Sequence, residues 1–227
     1  MIPVIAIPVI NRPDLLRACL ASIDEPVERL IVIDNSGTGE LGDVASEARP
    51  DALIVDPPAN LGVAASWNLA IKSTAAAPWW CIANADTIFG PGDLERLAGS
   101  MQDRGWVGMN GDWRVFGLWA ETVERVGFFD ENFHPIYCED ADYERRCDLS
   151  DVSWGFIDGG AKHEGSAAIR SGFAEANART YPANLDYYRR KWGGDLRGGE
   201  QFTTPFNRGG SVRDWSLDLS RLRTLAW

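Results

Sequence analysis

Four places in this 227-residue chain carry side chains that can do chemistry. Asn84-Ala85-Asp86 follows the apolar run Trp79 to Ala83, so Asp86 offers a hard anionic oxygen of the kind a divalent cation takes. Its plainer reading is a turn that closes a strand and caps a helix near Pro91. Glu139-Asp140 opens a stretch with amphipathic helical spacing. First-turn amides favour anions, so both acids are expected to stay ionised; simple capping is the plainer role, and Asp142 is read as only that. His163 is one of two histidines and stands before Glu164-Gly165-Ser166. Taken alone it is a hydrogen-bonded loop side chain, and His134 is read as structural. Asp34 heads Asp34-Asn35-Ser36-Gly37, which is turn chemistry.

The elements that must position these groups alternate along the first half. Ile2 to Val9 is a β-branched run broken by prolines. Pro13 to Ser22 has helical spacing, with Leu15, Leu16, Cys19 and Leu20 on one face and Pro13 in the first turn. Leu30 to Ile33 reads as a buried strand, Leu41 to Ala48 as a helix, Ala52 to Val55 as a strand, Leu61 to Ala77 as a long helix and Trp79 to Ala83 as a fourth strand. Short apolar strands separated by helices imply a parallel sheet covered on both faces, a doubly wound α/β domain. Ligands bind such sheets beyond the carboxyl ends of the strands. The loops leaving those ends are Val9 to Arg12, Asp34 to Gly37, Pro57 to Gly62 and Asn84 to Ile88.

The second half is less regular. Pro91 to Met101, Trp119 to Val126, Glu139 to Cys147 and Pro182 to Trp192 read as helices, Trp106 to Phe116 as extended and Val152 to Ile157 as a strand. Trp79 and Trp80 enter a strand and are expected in the core. The Tyr187 to Trp192 stretch is expected to be a packing helix with a basic solvent face. The Gly- and Arg-rich segment 195–227 reads as a tail whose stretch Trp215 to Trp227 packs on its own domain by default, the alternatives being docking on an acceptor or on a second subunit in a homodimer.

Composition bounds the function. With 33 acidic and 22 basic residues the net charge is −11, whereas gripping a nucleic-acid backbone calls for a basic face. No apolar run approaches the ~18–20 residues of a membrane span. Met1 to Ile10 lacks a cationic lead and is read as neither signal peptide nor anchor. Cys19, Cys81, Cys138 and Cys147 form no Cys-x-x-Cys pair, which disfavours a zinc knuckle and suits reduced thiols in a cytoplasmic protein.

In order and spacing, six segments resemble the family 2 glycosyltransferases of the GT-A fold: Val4-Ile5-Ala6-Ile7-Pro8-Val9-Ile10-Asn11-Arg12-Pro13; Leu30-Ile31-Val32-Ile33-Asp34-Asn35-Ser36; Asn60-Leu61-Gly62-Val63-Ala64 with Asn68; Asn84-Ala85-Asp86-Thr87; Val126-Gly127-Phe128-Phe129-Asp130-Glu131 leading to Glu139-Asp140-Ala141-Asp142-Tyr143; and His163-Glu164-Gly165-Ser166. The resemblance covers roughly residues 2–192. It implies a GT-A domain over 1–194, with a nucleotide-sugar-binding half (1–90) and an acceptor and catalytic half (91–194).

What the resemblance implies for the site is specific. Asp86 and His163 hold a divalent cation, Mn²⁺ or Mg²⁺, that binds the diphosphate of a nucleotide sugar, of UDP or TDP type. Asn84 stands where the family usually has a first Asp, which puts metal affinity in question. Asp140 is the base that takes a proton from the acceptor hydroxyl, and Glu139 orients it or the acceptor. Asp34 reads the nucleobase edge. Pro8, Arg12, Asn60, Gly62, Asn68 and Asn84 line the nucleotide and donor sugar, Gly62 by allowing close backbone approach. Relatives often carry Arg where Trp67 stands, so a donor contact differs here. Trp113 and Trp119 fall in the acceptor region. The implied activity is inverting transfer to the hydroxyl of a glycan, lipid-linked sugar or protein, or to a modified nucleobase, the last disfavoured by the acidic charge. The alternative is a non-catalytic nucleotide-sugar-binding or scaffold protein of the same fold, with Asn84 in its favour. A sugar nucleotidyltransferase would want a Gly-rich phosphate loop after the first strand, and Pro8 to Arg12 offers none.

Overall fold

The computed structural model describes residues 1–102, 105–165 and 167–196. Its first half alternates strand and helix: β1 (Ile2–Val9), α1 (Pro13–Ala21), β2 (Val27–Asp34), α2 (Glu40–Ala48), β3 (Leu53–Val55), α3 (Val63–Ser73) and β4 (Trp79–Ala83). The cores of β1, β2 and β4 are buried on both faces, as apolar runs without alternation require. On α1 the expected face of Leu15, Leu16, Cys19 and Leu20 is the buried one. Helix α3 is shorter than the run Leu61 to Ala77. Gly62 precedes it at φ 78, outside helical space. At the other end the Thr74 hydroxyl donates to Ala70 O and receives Trp80 Nε1–H, 2.7 and 2.8 Å respectively, which ends the helix.

The second half adds β5 (Thr87–Ile88), α4 (Asp93–Ser100), β6 (Trp106–Met109), β7 (Asp112–Trp119), α5 (Ala120–Val126), α6 (Glu139–Leu149), β8 (Trp154–Ile157), β9 (Lys162–His163) and α7 (Ala174–Trp192). The main sheet has seven strands in the order β3-β2-β1-β4-β7-β6-β8. All pairings are parallel except those of β7, which runs antiparallel to both β4 and β6. The expected single extended stretch Trp106 to Phe116 is therefore a hairpin. Asn110 and Gly111 take φ 57 and φ 81, the double left-handed turn that matches strand twist. One core fills each face of this sheet. Trp67, Trp80, Trp106, Trp113 and Phe116 lie in one, Ile5, Leu16, Leu94 and Met101 in the other.

A separate short pair, β5 with β9, sets Thr87 opposite His163 and Ile88 opposite Lys162. This pair joins the loop after β4 to a segment almost eighty residues further on.

Helix α7 starts eight residues before Pro182 and runs through it; the ring removes the hydrogen bond to the Ala178 carbonyl. In its last turn Arg189 and Arg190 form the expected basic solvent face, and Lys191 departs from it. Lys191 is fully buried and bridges Asp130 and Asp142 at 2.7 and 2.6 Å. Arg146 reaches Asp142 at 2.9 Å, and Trp192 Nε1–H donates to Asp142 at 2.9 Å. Asp142 is thus the hub of a buried ion cluster rather than a cap. Burial alone would raise Asp130, but the charge and hydrogen bond of Lys191 carry it below the ordinary carboxylate value. The tail stretch Trp215 to Trp227, and Ser166 of the His163 segment, lie outside the described residues.

Candidate active site

A cavity of about 510 Å³ opens beyond the carboxyl ends of β1 and β4. Its lining brings together Pro8, Arg12, Asn60, Gly62, Asn84, Asp86, Glu139, Asp140 and His163, so nine of the residues singled out in sequence meet in one place. The antiparallel strand β7 begins at this same end, which adds Asp112, Trp113 and Arg114 to the wall.

The β5–β9 pairing explains how His163 arrives beside Asp86. Opposite Thr87, its ring falls next to the residue before Thr87, and Nε2 lies 3.2 Å from Asp86 Oδ1. The Gly165 amide donates to Nδ1 at 2.7 Å. Nδ1 thus acts as an acceptor, which leaves Nε2 as the ring nitrogen that faces the carboxylate. A carboxylate oxygen and an imidazole nitrogen side by side on a cavity wall fit a divalent cation as a two-ligand platform, the other positions falling to ligand oxygens and water. Among the described residues no group of three or more His, Cys, Asp or Glu gathers to hold a metal. Asn84 lines the cavity, and its backbone N–H donates to Arg114 O at 2.8 Å.

Glu139 and Asp140 enter the cavity from the first turn of α6. The two residues before it, Tyr137 and Cys138, are left-handed at φ 79 and φ 77, a costly conformation for side chains with a Cβ. For Glu139, burial works against the expectation that helix amides keep both acids ionised. It is 4% exposed, and burial, reinforced by the neighbouring Asp140, pushes its carboxyl well above the usual range against the pull of nearby amides. Its Oε2 is buried without a hydrogen-bond partner. Asp140 is only partly buried and accepts the Ala141 amide at 2.8 Å.

Two residues assigned to the nucleotide do not line the cavity. Asp34 is fully buried, and its carboxylate accepts the amides of Ser36 and Gly42, each at 2.9 Å. It ties the loop after β2 to α2 and has no face for a nucleobase. Asn68 is also buried. Its amide donates to Phe129 O and Glu131, and its carbonyl accepts the Phe129 amide at 2.9 Å, so it latches α3 to the loop after α5. Gly62 does line the cavity, but the close approach it permits is by the chain itself. A Cβ there would sit 2.9 Å from both His134 Cδ2 and Pro135 O.

Asn11, Arg114 and Asn177 were not singled out in sequence, yet all three line the cavity. The Asn11 amide donates to Ala168 O and Ser171 O at 3.0 and 3.2 Å, fastening the segment after β9 across the mouth of β1. Arg114 is ion-paired with Asp112, and the Asp86 charge also acts on it. The Asn110-Gly111 turn was the available signal, since it places Asp112 to Arg114 at the ligand end of the sheet. Trp113 is nearly buried, stacks near Trp67 and donates from Nε1 to Glu144 at 2.7 Å. Trp119 does not line the cavity; it pairs with Trp79 at the far end of β7.

The family model of glycosyl transferase family 2 matches residues 4–124, just over half of the sequence. The chain belongs to glycosyl transferase family 2. None of the curated proteins compared with it matches. Among solved structures, S. aureus TarS 1-349 superposes with a TM-score of 0.56 at 13% identity, over 69% of this chain and 58% of that one. The same protein in complex with UDP-GlcNAc gives 0.53 at 14% identity, over 85% and 73%. Glucosyl-3-phosphoglycerate synthase from Mycobacterium tuberculosis, in complex with Mn²⁺, UDP and glucosyl-3-phosphoglycerate, gives 0.53 at 13% identity, over 81% and 79%. At these identities the likeness is one of fold. The chain spans about 58% of the TarS fragment it resembles. Among the described residues no helix is long and apolar enough to cross a membrane.

Proposed function

We propose that this family 2 chain transfers a sugar from a nucleotide-diphosphate sugar to an acceptor hydroxyl, with inversion at the anomeric carbon. The observation that carries the reading is the meeting of Asp86, His163, Glu139 and Asp140 in one cavity beyond the strand ends. Family membership supports the reaction class, and the UDP, UDP-GlcNAc and Mn²⁺ in the related structures support a uridine nucleotide and a divalent cation.

Asp86 and His163 would hold the cation. When bound, such an ion supplies Lewis-acid stabilisation of the charge that develops on the departing diphosphate. Asp140, the less buried acid of its pair, takes the acceptor proton as the hydroxyl oxygen attacks. Glu139, whose carboxyl burial pushes above the usual range, stands next to that base in the same helical turn and orients it. The walls formed by Pro8, Asn60 and Gly62 confine the nucleotide, and holding donor and acceptor together supplies much of the rate. A single base without a separate covalent nucleophile gives direct displacement, hence inversion. The acceptor hydroxyl belongs to a glycan, a lipid-linked sugar or a protein.

Thermal shift with a panel of nucleotide sugars, with and without Mn²⁺, tests this. Ligands that bind only the native state raise its melting point. A UDP- or TDP-sugar is expected to raise Tm, and more with Mn²⁺. No shift with any nucleotide sugar at millimolar concentration contradicts the reading.

A further inference from the structure

We infer that Asn184 on α7 is a positioning residue for the Glu139–Asp140 pair, acting through the left-handed Tyr137–Cys138 turn that carries both acids into the cavity. The inference rests on the functional reading only in calling those acids catalytic.

Two successive non-glycine residues at φ 79 and φ 77 occupy a sparsely populated region that persists only when the surroundings over-determine it. Asn184 supplies that constraint. It is 4% exposed, and its amide nitrogen donates to Ile136 O at 2.9 Å and Tyr137 O at 3.2 Å. One NH₂ group with two protons thus holds two successive carbonyls, a task that neither Asp nor Leu can perform. One turn earlier on α7, the Tyr181 ring meets the Tyr137 ring edge-on at 5.4 Å. Beyond the acids, Lys191 and Trp192 hold Asp142 in the first turn of α6. Cys138 and Ala141 pack with Phe133, Tyr188 and Trp192 in a small core of their own. Helix α7 therefore grips the chain immediately before and immediately after Glu139 and Asp140. Asn184 does not itself line the cavity, although Ile136, Tyr137, Glu139 and Asp140 all do. Its influence on a bound ligand passes through the turn.

Cys138 reports on that turn. It lies between Tyr137 and Glu139, is buried, and carries a thiol that burial and the neighbouring acids hold protonated. Cys19, Cys81 and Cys147 are buried elsewhere and serve as internal controls.

The full-length wild type and Asn184→Ala are labelled under native conditions with N-ethylmaleimide, and the labelled cysteines are mapped by peptide mass. Turnover of the nucleotide sugar is measured on the same proteins. In the variant Cys138 is expected to label about tenfold faster or more, with the other three protected. Its kcat is expected to fall by about 10–100-fold, the range that a misplacement near 1 Å produces, while donor KM stays within about twofold. Asn184→Gln, which keeps the donor amide, is expected to recover part of both. Wild-type protection of Cys138, or an unchanged kcat, overturns the inference. If all four cysteines label together, the Ala variant has lost its fold, and the same two readouts on Asn184→Ser decide. A wild type that binds no nucleotide sugar sinks the functional reading instead, and the Cys138 labelling then accepts or rejects the brace by itself.

Discussion

His163 Nε2 lies 3.2 Å from Asp86 Oδ1, while the Gly165 amide occupies the other ring nitrogen, Nδ1. The two side chains come from the ends of β9 and β4 and meet through one antiparallel pairing, Thr87 with His163. The two atoms stand within ion-pair distance of each other. For both to hold one cation, Nε2 must carry no proton.

Removing either partner should therefore weaken the cation-dependent part of donor binding. For Asp86→Ala and His163→Ala, Mn²⁺ titrations of donor binding are expected to shift by at least about 10–100-fold, the loss known even for outer-shell partners of a metal. Isothermal titration of UDP with fixed Mn²⁺ measures this. Superimposable titrations for wild type and Asp86→Ala would remove the pair from the cation site.

Glu139 makes a pH signature. Folding raises its carboxyl well above the usual value, so the native state holds that proton more tightly than the unfolded chain does. The stability this contributes is complete below the unfolded value of about 4.3 and is lost as pH rises through the raised native value. Gln carries no such proton. The Tm of Glu139→Gln should therefore gain on wild type as pH rises from 4 to 7, by about 2–4 °C for each kcal/mol. Parallel Tm–pH curves would contradict the assignment.

Asp34→Ala separates a structural carboxylate from a nucleobase reader. It strands the Ser36 and Gly42 amides, of which the Gly42 bond is buried. Denaturant unfolding is expected to show a loss of about 1–3 kcal/mol, with donor KM within about twofold of wild type. A fall in donor affinity at unchanged stability would restore Asp34 to the nucleotide site.

The contrast between Asp34 and Asp86 explains how far the sequence could be read. Buried strands announce themselves as apolar runs, so β1 and β4 lie where the pattern puts them, and the loops at their ends were the right place to look. Whether a loop carboxylate turns outward or back onto its own backbone depends on which amides the next helix presents. No spacing rule states this: Asp34 meets the Gly42 amide and turns inward, while Asp86 meets His163 at the cavity. Arg114 was legible in principle through the Asn110-Gly111 turn. The ionisation of Glu139 was not, because it depends on burial contributed by elements distant in the chain. Nor was Lys191, whose place in α7 looks like a solvated basic stripe until Asp130 and Asp142 close on it.

Asp140→Asn separates binding from chemistry at a single atom. Donor affinity and the Mn²⁺ titration are expected to match wild type, because Asp86 and His163 are untouched. Sugar transfer, followed by release of the nucleoside diphosphate, is expected to fall by about 10²–10⁴-fold, the contribution of a positioned general base. Turnover near the wild-type rate would show that the acceptor proton leaves by another route and that Asp140 is not the base.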